Sequence, residues 1–181
     1  MRVISGSARG TKLFCPEGMD VRPTHDRVKE AVFSMLQNRL CGASVLDLFA
    51  GTGALGIEAL SRGAKETVFV DRAESSLKLV RDNLEKTHLT EKATVTKSDY
   101  LSFLQNTNQQ FDLIFLDPPY FEDFLEKALK LISEKKLLSP GGIIYCETEG
   151  EPPALAETLF YVERDKKYGR ARVLLLSELK V

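Results

Sequence analysis

A chain of 181 residues, 43% apolar and 28% charged with a net charge of −1, suits one domain with a substantial core. The near-neutral balance excludes a globally basic nucleic-acid binder, and no apolar run approaches the roughly 18 residues of a membrane span. Cys15, Cys41 and Cys146 are odd in number and lack the paired spacing of a zinc site, so free thiols in a reducing cytosol are expected.

The opening MRVISGSARG has no signal-peptide core. Residues 1–29 carry six basic side chains against three acids, a local +3 that leaves −4 for the remainder. Short strand pieces around SARG and PEG predict a small N-terminal hairpin, a basic arm over 1–21. RPTHDRVKEAVFSMLQNRL then predicts a helix, with Thr24 as candidate N-cap and Val28, Ala31, Val32, Met35 and Leu36 along one face.

From residue 44 strands and helices alternate. SVLDLF (44–49) predicts a strand, Gly53 to Arg62 a helix closed by Gly63, and TVFVD (67–71) a second strand. The next helix puts Leu77, Val80 and Leu84 on one face. ATVTKSD (93–99) and FDLIFLD (111–117) predict the third and fourth strands, and Phe121 to about Glu134 a helix with Leu125, Ala128, Leu129 and Ile132 along one face. SPGG (139–142) is expected to turn the chain into a fifth strand, IIYCET, and LFYVERDKKYGRARVLLL reads as an antiparallel hairpin around Gly169. Repeated βαβ units imply a doubly wound parallel sheet, whose ligands bind beyond the carboxyl ends of the strands.

Two strand ends carry chemistry. VLDLFAGTGALGIEAL has the spacing G-x-G-x-x-G through Gly51, Gly53 and Gly56, with Asp71 twenty residues past Gly51. That matches a dinucleotide fingerprint, and alone it is equally a tight strand-to-helix turn. In dinucleotide sites, however, the first glycine follows the strand at once; here Phe49 and Ala50 intervene, and Asp47 sits inside an apolar strand. A buried carboxylate needs a partner. Either a turn bond or a ligand's ammonium supplies it, and S-adenosylmethionine fits the second case. Its amino group would meet Asp47, its carboxylate the backbone N–H groups near Gly51–Gly53, its ribose Asp71 and its adenine amine Asp99. With Phe49, Ala50, Thr52, Arg72 and Tyr100 these residues form the candidate donor site.

The second strand end is FDLIFLDPPY. Proline fixes φ and has no N–H, so two in succession stiffen the turn. The Asp117 carboxylate and Pro118 carbonyl become a rigid pair of acceptors, with Pro119 behind them and Tyr120 as an aromatic face. Such a pair suits an exocyclic amine of a nucleobase taken out of its stack, whose nitrogen is a poor nucleophile until held and polarised. A direct in-line transfer requires no metal.

These blocks, with ISGSARGTKL, RPTHDRVKEAVFSML (22–36), LDLFAGTGALGIEALSRGA, VDRA and the closing YGRARVLLL, resemble the RsmD-like 16S ribosomal RNA guanine-N2 methyltransferases over nearly the whole chain. The resemblance implies an α/β, Rossmann-like class I methyltransferase fold: a mostly parallel seven-stranded sheet with a C-terminal antiparallel hairpin, and residues 22–181 as the catalytic domain. It implies S-adenosylmethionine as donor, one guanine of small-subunit rRNA as acceptor, the small ribosomal subunit or its assembly intermediate as partner, and a cytoplasmic monomer. Candidate RNA contacts are Arg9, Lys12, Arg22, Thr24, Arg27 and Lys29, with Arg170, Tyr168 and Arg172 from the late hairpin. Alternatives are an adenine-N6 or protein-glutamine amino-methyltransferase, which commonly carries Asn in place of Asp117, or a nicotinamide-dependent oxidoreductase.

Overall fold

The computed structural model describes residues 1–16, 23–119 and 123–179, of which 23–25 are described by backbone only. In chain order the elements are α1 (Pro23–Leu36), β1 (Ser44–Asp47), α2 (Ala54–Ser61), β2 (Glu66–Asp71), α3 (Glu74–Thr87) and β3 (Ala93–Lys97). They continue with α4 (Tyr100–Asn106), β4 (Phe111–Leu116), α5 (Phe124–Glu134), β5 (Leu138–Glu149), β6 (Phe160–Tyr168) and β7 (Ala171–Glu178). No helix among the described residues is long and apolar enough to cross a membrane.

The strands form one sheet in the order β3-β2-β1-β4-β5-β7-β6. β1 to β5 are mutually parallel, and β7 runs antiparallel to both β5 and β6. From β1 the chain first winds outward through β2 and β3, then returns to β4 on the other side of β1. That reversal opens a crevice beyond the carboxyl ends of β1 and β4, where doubly wound sheets bind ligands.

Period-two alternation divides the sheet residues between two cores. Val45, Phe69, Leu113, Phe115, Ile143 and Tyr145 pack with α1, α2 and α3 on one face. Leu46, Val68, Ile114, Leu116, Ile144 and Cys146 pack with α4 and α5 on the other. Both faces are covered, so the central strands are continuous apolar runs rather than alternating ones. The expected helix faces are correct: Leu77, Val80 and Leu84, and Leu125, Ala128, Leu129 and Ile132, are buried. Gly63 follows the C-cap Arg62 with φ 104°.

Four boundaries depart from expectation. The first helix starts at Pro23, the favoured first-turn place for proline, so Thr24 is inside the helix rather than its cap. The first strand ends at Asp47 rather than Phe49. The third ends at Lys97, because the Asp99 carboxylate caps a seven-residue helix, α4, that was not anticipated. SPGG does not precede the fifth strand but lies inside it, where the β4–β5 register shifts between Phe111 and Leu113 and Gly141 takes φ 78°. The expected helix start at Phe121 lies outside the described residues.

Within residues 1–16 the chain forms a hairpin with an antiparallel bridge between Arg2 and Lys12; the remainder of the expected arm, with most of its PEG turn, lies outside the described residues. It lies flat on α2. Val3, Ala8 and Leu13 are buried, the amides of Ile4 and Ser5 donate to Glu58, and Ala8 donates to Ser61 Oγ. Gly6 makes this contact possible: a Cβ there would stand 1.8 Å from the Ser61 carbonyl oxygen.

Candidate active site

Beyond the ends of β1, β2, β4 and β5 lies a cavity of about 1180 Å³, large enough for a nucleoside cofactor together with a base. Asp47, Phe49, Ala50, Gly51, Thr52, Asp71, Arg72, Asp99, Tyr100, Asp117, Pro118 and Pro119 all line it. The two strand-end motifs therefore face one space.

The loop between β1 and α2 turns through Gly51 at φ 55° and Gly53 at φ 78°, the left-handed region that glycine enters without strain. Asp71, at the end of β2, fastens it: Oδ2 accepts from the Gly51 N–H at 3.0 Å and Oδ1 from the Ala73 N–H at 2.8 Å. The Gly53 N–H donates to the Ala50 carbonyl at 2.7 Å. Of the N–H groups near Gly51–Gly53 expected to receive a ligand carboxylate, those of Gly51 and Gly53 are used within the loop. Gly53 is buried behind the cavity rather than lining it, and Gly56 serves packing: a Cβ there would meet Phe69 at 2.3 Å.

Asp47 is 2% exposed and accepts the Gly56 N–H at 3.0 Å through Oδ2, so the turn bond exists. One neutral donor does not compensate a buried charge. Burial raises the carboxyl to about 7; the Gly56 bond opposes that rise and the Asp71 charge adds to it. Asp117 is half-buried, and its carboxyl is raised well above the usual range by desolvation, then by the charges of Glu147 and Asp47. Asp47 and Asp117 thus share one cavity with Asp71, Asp99, Glu147 and Glu149. A ligand carrying positive charge would favour the ionised forms of Asp47 and Asp117, and this is the physical fit to a sulfonium and an ammonium.

Asp99 caps α4, with Oδ1 accepting from Leu101 and Ser102 at 3.0 and 3.2 Å, and its exposed side chain also borders the cavity. Phe49, Tyr100 and Phe124 form an aromatic cluster with centroids 5.2 to 5.9 Å apart, an apolar wall between the glycine loop and the DPP segment.

Some residues matter that the sequence reading did not single out. Asn83 is fully buried on α3; its side chain donates to the Thr52 and Phe14 carbonyls and accepts from the Phe14 amide, tying the glycine loop to the N-terminal segment. Glu147 and Tyr145, at the end of β5, border the cavity with Glu149. Phe124 also went unremarked. Only strand register or a long-range bond reveals these.

The RNA-contact set changes more. Lys29 lines the cavity but is 5% exposed, and its ammonium is already partnered: it donates to the Arg2 carbonyl at 2.5 Å and pairs with Glu58 at 3.3 Å. Arg172 is held bidentately by Asp165 at 2.9 and 2.6 Å. Arg9, Lys12, Arg27 and Arg170 are exposed, and Arg170 borders the cavity mouth beside half-buried Tyr168. Arg22 and Tyr120 lie outside the described residues, as does the side chain of Thr24.

A doubly wound sheet ending in an antiparallel hairpin, with a glycine loop and a strand-end DPP segment on one crevice, is the architecture of a Rossmann-like methyltransferase. The family model described as conserved hypothetical protein 95 matches residues 1–177. The chain belongs to that family, the RsmD family of methyltransferases. It is 37% identical over 172 residues to the ribosomal RNA small subunit methyltransferase D of Haemophilus influenzae, covering 93% of this chain and 89% of the relative. The protein of the same name from Escherichia coli K12 is 36% identical over 151 residues, 83% of this chain and 76% of its own. The solved structure of yhhF from Escherichia coli superposes with a TM-score of 0.87 at 34% identity, covering 98% of this chain and 97% of that one.

Proposed function

We propose that this protein moves the methyl group of S-adenosylmethionine to the exocyclic N2 amine of one guanine in small-subunit rRNA. The observation that carries the reading is the convergence of Asp47, the glycine loop and Asp117-Pro118 on one cavity. The printed names of the Haemophilus and Escherichia relatives support the RNA class. In this reading its partner is the small ribosomal subunit or an assembly intermediate of it, in the cytoplasm.

In this reading the donor lies along the glycine loop. Asp47 faces its ammonium, Asp71 and Asp99 face its nucleoside half, and Phe49 and Tyr100 wall the adenine side. The donor contributes an electrophilic methyl on a positively charged sulfur. Asp117 and the Pro118 carbonyl accept the two N–H bonds of the target amine, fix its lone pair toward that methyl, and raise its electron density. Bound there, the donor would supply that methyl, its carbon–sulfur bond breaking as the nitrogen–carbon bond forms and the electron pair staying on sulfur. The amine then sheds one proton, which the raised Asp117 carboxylate accepts more readily than an ordinary aspartate would. Positioning and electrostatics contribute most of the acceleration.

Labelled-methyl assays offering small subunits, naked rRNA and DNA separately, followed by nucleoside mass mapping, test the proposal. N2-methylguanosine in rRNA is the expected product, and Asp117→Ala should lower its formation by roughly 10²- to 10³-fold. Label in DNA alone, or full activity in the Asp117 variant, would overturn it.

A further inference from the structure

β4 and β5 are parallel and in register at Phe115↔Tyr145 and Leu116↔Cys146. One step further along both strands, Asp117 stands beside Glu147, about one strand spacing of 4.8 Å away. Alternation puts both on the sheet face that carries Asp47, Phe115 and Tyr145, and both border the cavity.

Glu147 is set in place from below. The Tyr145 hydroxyl donates to its Oε2 at 2.5 Å, and the Tyr145 ring is 1% exposed, packed edge-on against Phe115 at 5.6 Å. Glu147 as a residue is half-buried and lines the cavity that a base would enter. Asp117 feels its charge, the second cause of that carboxyl's upward displacement.

Guanine is the one natural base whose Watson–Crick edge offers two adjacent donors, N1–H beside N2–H₂. Adenine and cytosine place an unprotonated ring nitrogen beside their amine, and that lone pair would face a carboxylate. We propose that Glu147 accepts the N1–H of the target guanine and is the residue that selects guanine over other amino-bearing bases, with Tyr145 positioning it. The inference rests on the guanine-N2 reading of the site and deepens it. A site built around a bonded N–H rejects analogues lacking it far more strongly than a shape-matched apolar pocket does, because a buried acceptor is left facing another acceptor.

The test uses small subunits reconstituted with rRNA carrying either guanine or 2-aminopurine at the mapped position. 2-Aminopurine keeps the exocyclic amine and lacks N1–H. The wild-type protein should favour guanine in kcat/KM by roughly 10²-fold or more. Glu147→Gln, whose amide can donate to the N1 lone pair, should narrow the ratio to within about tenfold, and Tyr145→Phe should narrow it partway. Equal thermal stabilisation of each variant by S-adenosylhomocysteine shows that the donor site is intact. An unchanged ratio in Glu147→Gln, an equal loss on both substrates, or a wild-type protein indifferent to the base would overturn this inference while leaving guanine methylation standing. A wild-type methyl mapped to any atom but guanine N2 would sink the proposed function and this inference with it.

Discussion

Asp47 is the residue at which sequence and physics meet most directly. An acid in an apolar strand demands a partner, and the Gly56 amide supplies part of one. Its carboxyl near 7, against 3.8 unperturbed, means the folded apo protein binds a proton there that the unfolded chain releases above about pH 4. The associated stability is complete below pH 4 and lost as pH rises to 7. A shift of about three units corresponds to about 4 kcal/mol as an upper figure. Asp47→Asn removes that dependence. The variant should therefore gain thermal stability relative to the wild type as pH rises from 4 to 7, level off above 7, and lose most of its stabilisation by S-adenosylmethionine. A pH series of melting curves with and without the donor measures both, and parallel curves for the two proteins would refute this account.

Helix α2 shows how one element couples two regions. Its first turn faces the glycine loop, while Glu58 and Ser61 near its other end hold the N-terminal hairpin. Glu58 is fully buried and also meets Arg62 at 2.8 Å and Lys29 at 3.3 Å. Removing one member of such a group strands a buried charge, at about 3 to 5 kcal/mol. Glu58→Gln should lower unfolding stability by about 3 kcal/mol and abolish hydrogen-exchange protection at the Ile4 and Ser5 amides. Adding Lys29→Met should recover part of that loss, because the orphaned ammonium is gone; a double variant no more stable than Glu58→Gln would show that Lys29 is not the cause. Here the limits of sequence reading are visible. The helix and its Gly63 stop were legible from local patterning. The role of Lys29 was not, because its partner is 29 residues away and a lysine on a charged segment looks the same whether it meets phosphate or Glu58. Asp99 carries a second, local job that was not read from the sequence: it caps α4 while also bordering the cavity.

For the whole molecule, the order of the parallel strands and the crevice between β1 and β4 followed from counting βαβ units, and the strand-end acids followed from that. Glu147 did not follow, because it gains meaning only when β5 is aligned against β4, and register is not written in either strand alone. The same scale governs binding to RNA. A protein of net charge −1 cannot attract a polyanion by its total field, so on the proposed rRNA reading affinity rests on a local set of exposed cations, for which Arg9 and Lys12 on the hairpin, Arg27 on α1 and Arg170 beside the cavity are the candidates. Each cation that neutralises a phosphate displaces counterions and adds about 0.7 to 0.9 to the slope of log affinity against log salt. Arg170→Ala and Arg9→Ala should each flatten that slope by about one contact and weaken binding to rRNA without altering the melting temperature. Lys29→Met should leave the slope unchanged, since its ammonium is enclosed between Arg2 and Glu58. Filter binding of small-subunit rRNA from about 50 to 200 mM salt distinguishes the two classes. A flattened slope in Lys29→Met, with Arg9→Ala and Arg170→Ala indistinguishable from wild type, would place the RNA on a different face of the molecule.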